Sequence, residues 1–150
     1  LAIVLMKMRD FNEERFAEYH PGGSLGRRLL VKAKDVMRKD NLPLVGKEQK
    51  MSEVIHIMTR GLLGLAIVTD QNGKLAGLIT DGDLRRAMET NENAFFQMKA
   101  SDIMTLNPKC INPEMKLFDI QHTMNKFKIN SLLVIEDEQV AGVVQIYDIK

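Results

Sequence analysis

The sequence is short of several things that would each point somewhere specific. It holds one cysteine, Cys110, in 150 residues, which excludes an internal disulfide framework and any multi-cysteine metal cluster and fits a reducing compartment. The cytoplasm is therefore the expected location, and no metal or cofactor is expected. Charge of one sign is also missing. Twenty-one Lys and Arg against 20 Asp and Glu leave +1, so no overall field draws the chain to nucleic acid or anionic lipid, and any basic site must be local. The apolar run over residues 1–6 is too short to cross a bilayer and carries no cleavage-site pattern. The chain opens on Leu1, in mid-helix by pattern, so a piece of something longer is expected.

What is present is ordinary globular material. Hydrophobic residues at 45% and charged residues at 27% suffice for a core, and the length suits one domain or two small modules that share one.

The chain repeats itself. Lys34-Asp35-Val36-Met37 is echoed by Ser101-Asp102-Ile103-Met104 at an offset of 67, each followed by an extended stretch with proline. Met51, Val54 and Met58 have helical spacing, and Leu117, Ile120 and Met124 repeat it at 66. Apolar strands follow, Leu65-Ala66-Ile67-Val68 and Leu132-Leu133-Val134-Ile135. Each leads through a polar turn to a second strand with an Ala-Gly pair, Ala76-Gly77 and Ala141-Gly142, now offset by 65. The offset shrinks in loops, where deletions cost least. In the first turn, Asp70-Gln71-Asn72-Gly73, the Asn-Gly pair is expected to take the positive φ values of a tight hairpin. The reading is an α/β chain of two β-α-β-β-α modules, neither able to bury both apolar faces alone.

The chemistry-bearing stretch is Gly77-Leu78-Ile79-Thr80-Asp81-Gly82-Asp83-Leu84-Arg85-Arg86, where a strand gives way to a helix. Thr80 or Asp81 can simply cap that helix. The same geometry also suits an anion at a helix N-terminus, with Thr80 donating to phosphate and Asp83 accepting from a ribose diol. Arg85 and Arg86 are expected in the first turn, an unfavourable place for cations unless an anion is near, or else as solvated surface charge. Lys126 and Lys128 make a second local cluster beside Asn130 and Ser131. No aromatic residues interleave with either cluster, so neither reads as a nucleic-acid surface.

Two such units, with Gly-hydrophobic-hydrophobic-Thr-x-x-Asp closing the third strand, resemble the CBS domain pair over residues 33 to 150. In that family the Thr and Asp contact phosphate and ribose of adenosine nucleotides or related ligands between the modules, and Thr80 and Asp83 match those positions. The second repeat reads Gly142-Val143-Val144-Gln145-Ile146-Tyr147-Asp148, with Gln in place of Thr. One good site, on repeat one, and a degenerate second cleft are expected. The last helix is expected only to begin before Lys150.

Residues 1–32 belong to neither repeat. An apolar helix to Met8 and a short helix over residues 12–19 lead to His20-Pro21-Gly22-Gly23-Ser24-Leu25-Gly26-Arg27-Arg28-Leu29-Leu30, which breaks one helix and restarts another near Ser24. Alone, His20 reads as a loop histidine. The string from Phe16 to Leu30 resembles the junction in bacterial D-arabinose 5-phosphate isomerases, where a sugar isomerase (SIS) domain hands over to a CBS pair. That resemblance implies aldose-ketose isomerisation of D-ribulose 5-phosphate to D-arabinose 5-phosphate through an enediol, in the synthesis of Kdo for lipopolysaccharide and some capsules. It places His20 in the parent's active site. The implied division is 1–32 isomerase remnant and linker, 33–90 first repeat, 91–99 linker and 100–150 second repeat.

Most of an isomerase site is missing from these residues, so the chain by itself is expected to be catalytically inert. The leading expectation is a regulatory sensor for a nucleotide or CMP-Kdo-like ligand. The alternatives are a pure oligomerisation module, dimer or tetramer, pairing through Ile55, Ile57 and Leu62, or the tail of an isomerase for another sugar phosphate. No membrane partner is expected.

Overall fold

A computed structural model describes residues 24–149. The expected helices before residue 20, and His20 itself, lie outside the described residues. The chain runs α1 Ser24–Leu30, α2 Ala33–Val36, β1 Leu44–Gly46, α3 Met51–Gly61, β2 Leu65–Thr69, β3 Leu75–Thr80 and α4 Asp81–Thr90. A 3-10 turn at Phe95–Gln97 leads to α5 Ala100–Ile103, β4 Cys110–Ile111, α6 Leu117–Phe127, β5 Ser131–Glu136 and β6 Gln139–Gln145, and a 3-10 turn at Ile146–Asp148 follows. The restarted helix at Ser24 is thus present. Where the final helix was expected to begin, there is that last short turn.

Each repeat forms a three-stranded sheet, β1-β2-β3 and β4-β5-β6, with a parallel first pair and an antiparallel second. Period-2 alternation with both faces buried explains why the middle of each central strand, residues 65–68 of β2 and 132–135 of β5, is apolar without a break. Ala66 and Val68 face a core with Met51, Val54 and Met58 of α3, whereas Leu65 and Ile67 face the other sheet. Likewise Leu132 and Val134 pack on Ile120 and Met124 of α6, while Leu133 turns to Leu65, Ile67 and Val143. A lone repeat would leave that third cluster in water. Each such side chain is worth roughly 1.5–3 kcal/mol when fully buried.

The two opening motifs cross over. Lys32 bridges to Lys116 and Arg38 to Val143, both in repeat two, while Lys99 bridges to Lys50 and Thr105 to Leu78, both in repeat one. Ala33 accordingly sits in the second core and Ala100 in the first. Lys74 bridges to Gln139, its own equivalent, so a pseudo-twofold axis passes between them. The Asp of each motif caps its short helix alike. Asp35 accepts from the Lys32 amide at 2.9 Å and Asp102 from the Lys99 amide at 2.9 Å. The Met of each motif then covers the other repeat's strand glycine, as Met104 covers Gly77 and Met37 covers Gly142.

The turns depart from expectation. Only Gly73 of the Asn-Gly pair has positive φ, +80°. Asp70 accepts from the amides of Asn72 at 2.8 Å and Lys74 at 3.0 Å, which winds a longer loop and leaves one left-handed position. The Lys74 amide, ahead of that of Asn72, draws the Asp70 carboxyl below its ordinary pKa. The second hairpin is the two-residue, doubly positive-φ turn, built by Asp137 (φ 51°) and Glu138 (φ 65°) without glycine. Phe95, 1% exposed, fills the first core from within the expected 91–99 linker.

Candidate ligand site

Strand β3 ends at Thr80, which is the N-cap of α4. The Thr80 Oγ1 accepts from the Asp83 amide at 3.3 Å, and Asp83 Oδ2 accepts from the Thr80 amide at 2.9 Å and from its hydroxyl at 3.1 Å. This reciprocal capping box settles two of the helix's orphan donors. The capping role weighed from sequence is therefore present, and it belongs to Thr80 rather than Asp81.

Asp83 does more than cap. Its Oδ1 accepts from Arg86 at 2.6 Å, and Thr105 Oγ1, arriving on the crossed-over segment, stands 3.3 Å from both carboxylate oxygens. The Asp83 side chain is 11% exposed and that of Arg86 is 70% exposed. Arg85 and Arg86 lie one turn further along α4 than expected, and Asp81 and Asp83 hold the first turn.

These residues line a cavity of about 820 Å³ between the repeats, within the size range of small-molecule sites. From repeat one come Thr80, Asp81, Asp83, Arg85 and Arg86 with the turn Leu62, Leu63 and Gly64. From repeat two come Thr105, Asn107, Lys109, Lys128, Asn130, Ser131, Gln145 and Tyr147. Every ligand residue singled out in the sequence is on this wall, together with Lys128. Lys126 is not. It sits over the Phe127 ring at 5.3 Å, with Lys109 nearer, at 4.2 Å. Thr105, Asn107, Lys109 and Tyr147 were missed. The duplication held a signal for the first of these, because segments that repeat in sequence also exchange partners in space.

Leu62 is 83% exposed and lines the cavity mouth, whereas Ile55 and Ile57, expected on an open face, pack partly buried against the first core. Among the described residues there is no group of three or more His, Cys, Asp or Glu placed to hold a metal ion, and no helix long and apolar enough to cross a membrane.

The family model described as CBS domain matches residues 33–90 and 100–150. The chain belongs to the CBS domain family. This CBS pair is 41% identical over 149 residues to the arabinose 5-phosphate isomerase KpsF of Escherichia coli, covering 99% of the chain and 45% of that protein. It thus spans under half the length of that curated relative. Among solved structures, the CBS domain pair of protein MJ0100 in complex with 5′-methylthioadenosine and S-adenosyl-L-methionine has a TM-score of 0.70 at 24% identity, over 79% of this chain and 92% of that one. CBSX2 in complex with AMP has a TM-score of 0.67 at 20% identity, over 79% and 92%. These two likenesses establish the CBS-pair fold.

Proposed function

We propose that this CBS pair binds a phosphorylated nucleoside between its repeats and serves as the regulatory part of a D-arabinose 5-phosphate isomerase. The observation that carries the reading is the cavity beside Thr80 and Asp83, where a helix start on one repeat faces cations on the other. The α4 N-terminus and the Thr80 hydroxyl suit a phosphate, and Arg85, Arg86, Lys109 and Lys128 supply positive charge around it. Asp83 is the acceptor for a ribose diol, and Asp81 lies beside it on the same wall. The diol takes the place that Thr105 and Arg86 hold on Asp83, so the Arg86 guanidinium is released toward the phosphate.

Support for the parent activity comes from the isomerase relative, 41% identical over nearly the whole chain. Within that reading residues 1–32 are the end of the isomerase domain, 33–90 and 100–150 the two repeats, and 91–99 the connection. His20 serves the parent's active site, and the chain alone has no isomerase activity. The adenosine compounds named with the two structural neighbours favour an adenine nucleotide as ligand. CMP-Kdo is the second candidate, since the isomerase reaction feeds Kdo synthesis. Regulation requires the ligand to bind two arrangements of the repeats unequally, a coupling of about 1–3 kcal/mol in typical cases.

Calorimetric titration of the chain with AMP, ATP, CMP and CMP-Kdo tests the site. Binding of at least one, abolished by Thr80→Ala with Asp83→Ala, is the expected result, and no binding of any removes the sensor. If the double variant left both solution mass and activity of the whole isomerase unaltered, the repeats would be holding chains together and nothing more.

A further inference from the structure

The segments that lead into the two repeats, 24–32 and 91–99, are seated alike. The Val31 carbonyl accepts from the Leu117 amide at 2.9 Å, and the Ala33 amide donates to the Met115 carbonyl at 2.8 Å. In the other lead-in the Met98 carbonyl accepts from the Met51 amide and the Ala100 amide donates to the Gln49 carbonyl, both at 2.8 Å. Helix α1, which precedes repeat one in the chain, is therefore built onto repeat two. It lies along α6, with Leu29 3% exposed.

The two seats differ at one pair of positions. In repeat one Phe95 of the lead-in and Ile55 of α3 both pack in the first core. The equivalent residues on repeat two are Arg28 and Gln121, and the Arg28 Nη1 donates to Gln121 Oε1 at 2.5 Å. Withdrawing an apolar side chain exposes core surface, whereas a partly buried hydrogen bond exchanges for water at small net cost. The seat of α1 is thus the one made to yield.

Gln121 stands two helical turns, about 10 Å, before Lys128, which caps α6 with a left-handed backbone (φ 54°). The amides of Lys128 and Ile129 both donate to the Met124 carbonyl, so the cavity wall over residues 128–131 is continuous with α6. The chain beyond α1 is fixed elsewhere. Arg38 is bridged to Val143 of β6, and its Nη1 donates to the carbonyl of Gly61. A shift of α6 is therefore felt at α1 as shear between Arg28 and Gln121.

We propose that α1 reports occupancy of the cavity. An anion beside Thr80 draws Lys128 and with it α6, the bond between Arg28 and Gln121 gives way, and α1 loosens on repeat two. The inference rests on the nucleotide-binding reading and names its output: the residues ahead of Ser24 are coupled to the cavity through repeat two. Linkage adds a converse, since a ligand that loosens α1 must bind more tightly once α1 is loose.

The test measures amide hydrogen exchange with and without AMP, after calorimetry with AMP, ATP, CMP and CMP-Kdo has established binding. AMP is expected to quicken exchange over residues 25–31 about threefold or more and to leave 91–98 unchanged. The variant Gln121→Met removes the acceptor, adds no charge and lies outside the cavity wall. Folded by circular dichroism, it is expected to show the faster exchange without ligand and to lower the Kd for AMP about threefold. Unchanged or slower exchange over 25–31 in the AMP-bound wild type overturns the proposal, and so does an unaltered Kd in the folded variant. Should the variant not fold, the wild-type exchange decides. If none of the four compounds binds, the nucleotide reading falls and the report through α1 falls with it, whereas binding without an exchange response removes the report alone.

Discussion

The sulfur of Met104 lies where a β-carbon on Gly77 would come within 2.7 Å of it. The equivalent β-carbon on Gly142 would lie 2.7 Å from the backbone oxygen of Arg38 and 2.9 Å from the Met37 side chain. A flexible thioether can move aside and a bridged carbonyl cannot. Gly142→Ala is thus expected to destabilise the chain more than Gly77→Ala, within the roughly 1–3 kcal/mol typical of overpacking. Urea unfolding of both variants checks the order, and equal losses would mean that the backbone yields as easily as the methionine.

Thr80 and Asp83 have a capping role and a proposed binding role, and these separate by choice of variant. Thr80→Ala removes the cap, costing about 1 kcal/mol of stability, and is expected to weaken AMP binding about tenfold, or about 1.4 kcal/mol. Thr80→Ser restores both. Asp83 is tested by the ligand instead. Wild type should prefer AMP over its 2′,3′-dideoxy analogue, because the analogue has no hydroxyls to donate to Asp83. In Asp83→Asn the preference should shrink. Equal affinity for the two ligands in the wild type would deny Asp83 the diol.

Glu114 fastens the crossed-over segment through Lys32 at 2.6 Å and Lys34 at 2.8 Å. The hydrogen bond from Lys32, then that from Lys34, holds its carboxyl down at about 2, and Glu114 in turn pushes the Lys34 ammonium up. A carboxyl whose folded pKa is depressed stabilises above its unfolded value of 4.5, and that contribution fades as the pH falls through the folded value. The gap in stability between wild type and Glu114→Gln is therefore expected near pH 6 and closed by about pH 2. The pair is exposed, so the gap is small and shrinks in about 1 M salt. Urea midpoints across that range check it. A gap that ignored pH would assign the effect to packing.

The strand and helix patterns were legible because burial on two faces leaves its mark on the run of residues 65–68 in β2 and 132–134 in β5. Thr80 and Asp83 were legible because a capping box is local. Arg38 was not, since nothing near it in sequence says that its side chain will meet the carbonyl of Gly61. The hairpins misled for a related reason. Asn72 sits in a loop whose shape Asp70 dictates, while Asp137 and Glu138 accept strained φ values because strand pairing leaves a gap of two residues. Local chemistry can be read from neighbours, and long-range placement has to be folded to be seen.

The exchange of opening segments has a bearing on how the chain acquires its structure. Residues 24–90 alone would leave Leu78 without its Thr105 partner and the first core without Ala100, while Ala33 would have no second core to enter. Such a half is expected to stay largely unstructured by circular dichroism, and the whole chain to melt in one calorimetric step. Neither copy can then be lost, replaced or allowed to drift by itself, and a duplication that began as redundancy has become mutual dependence.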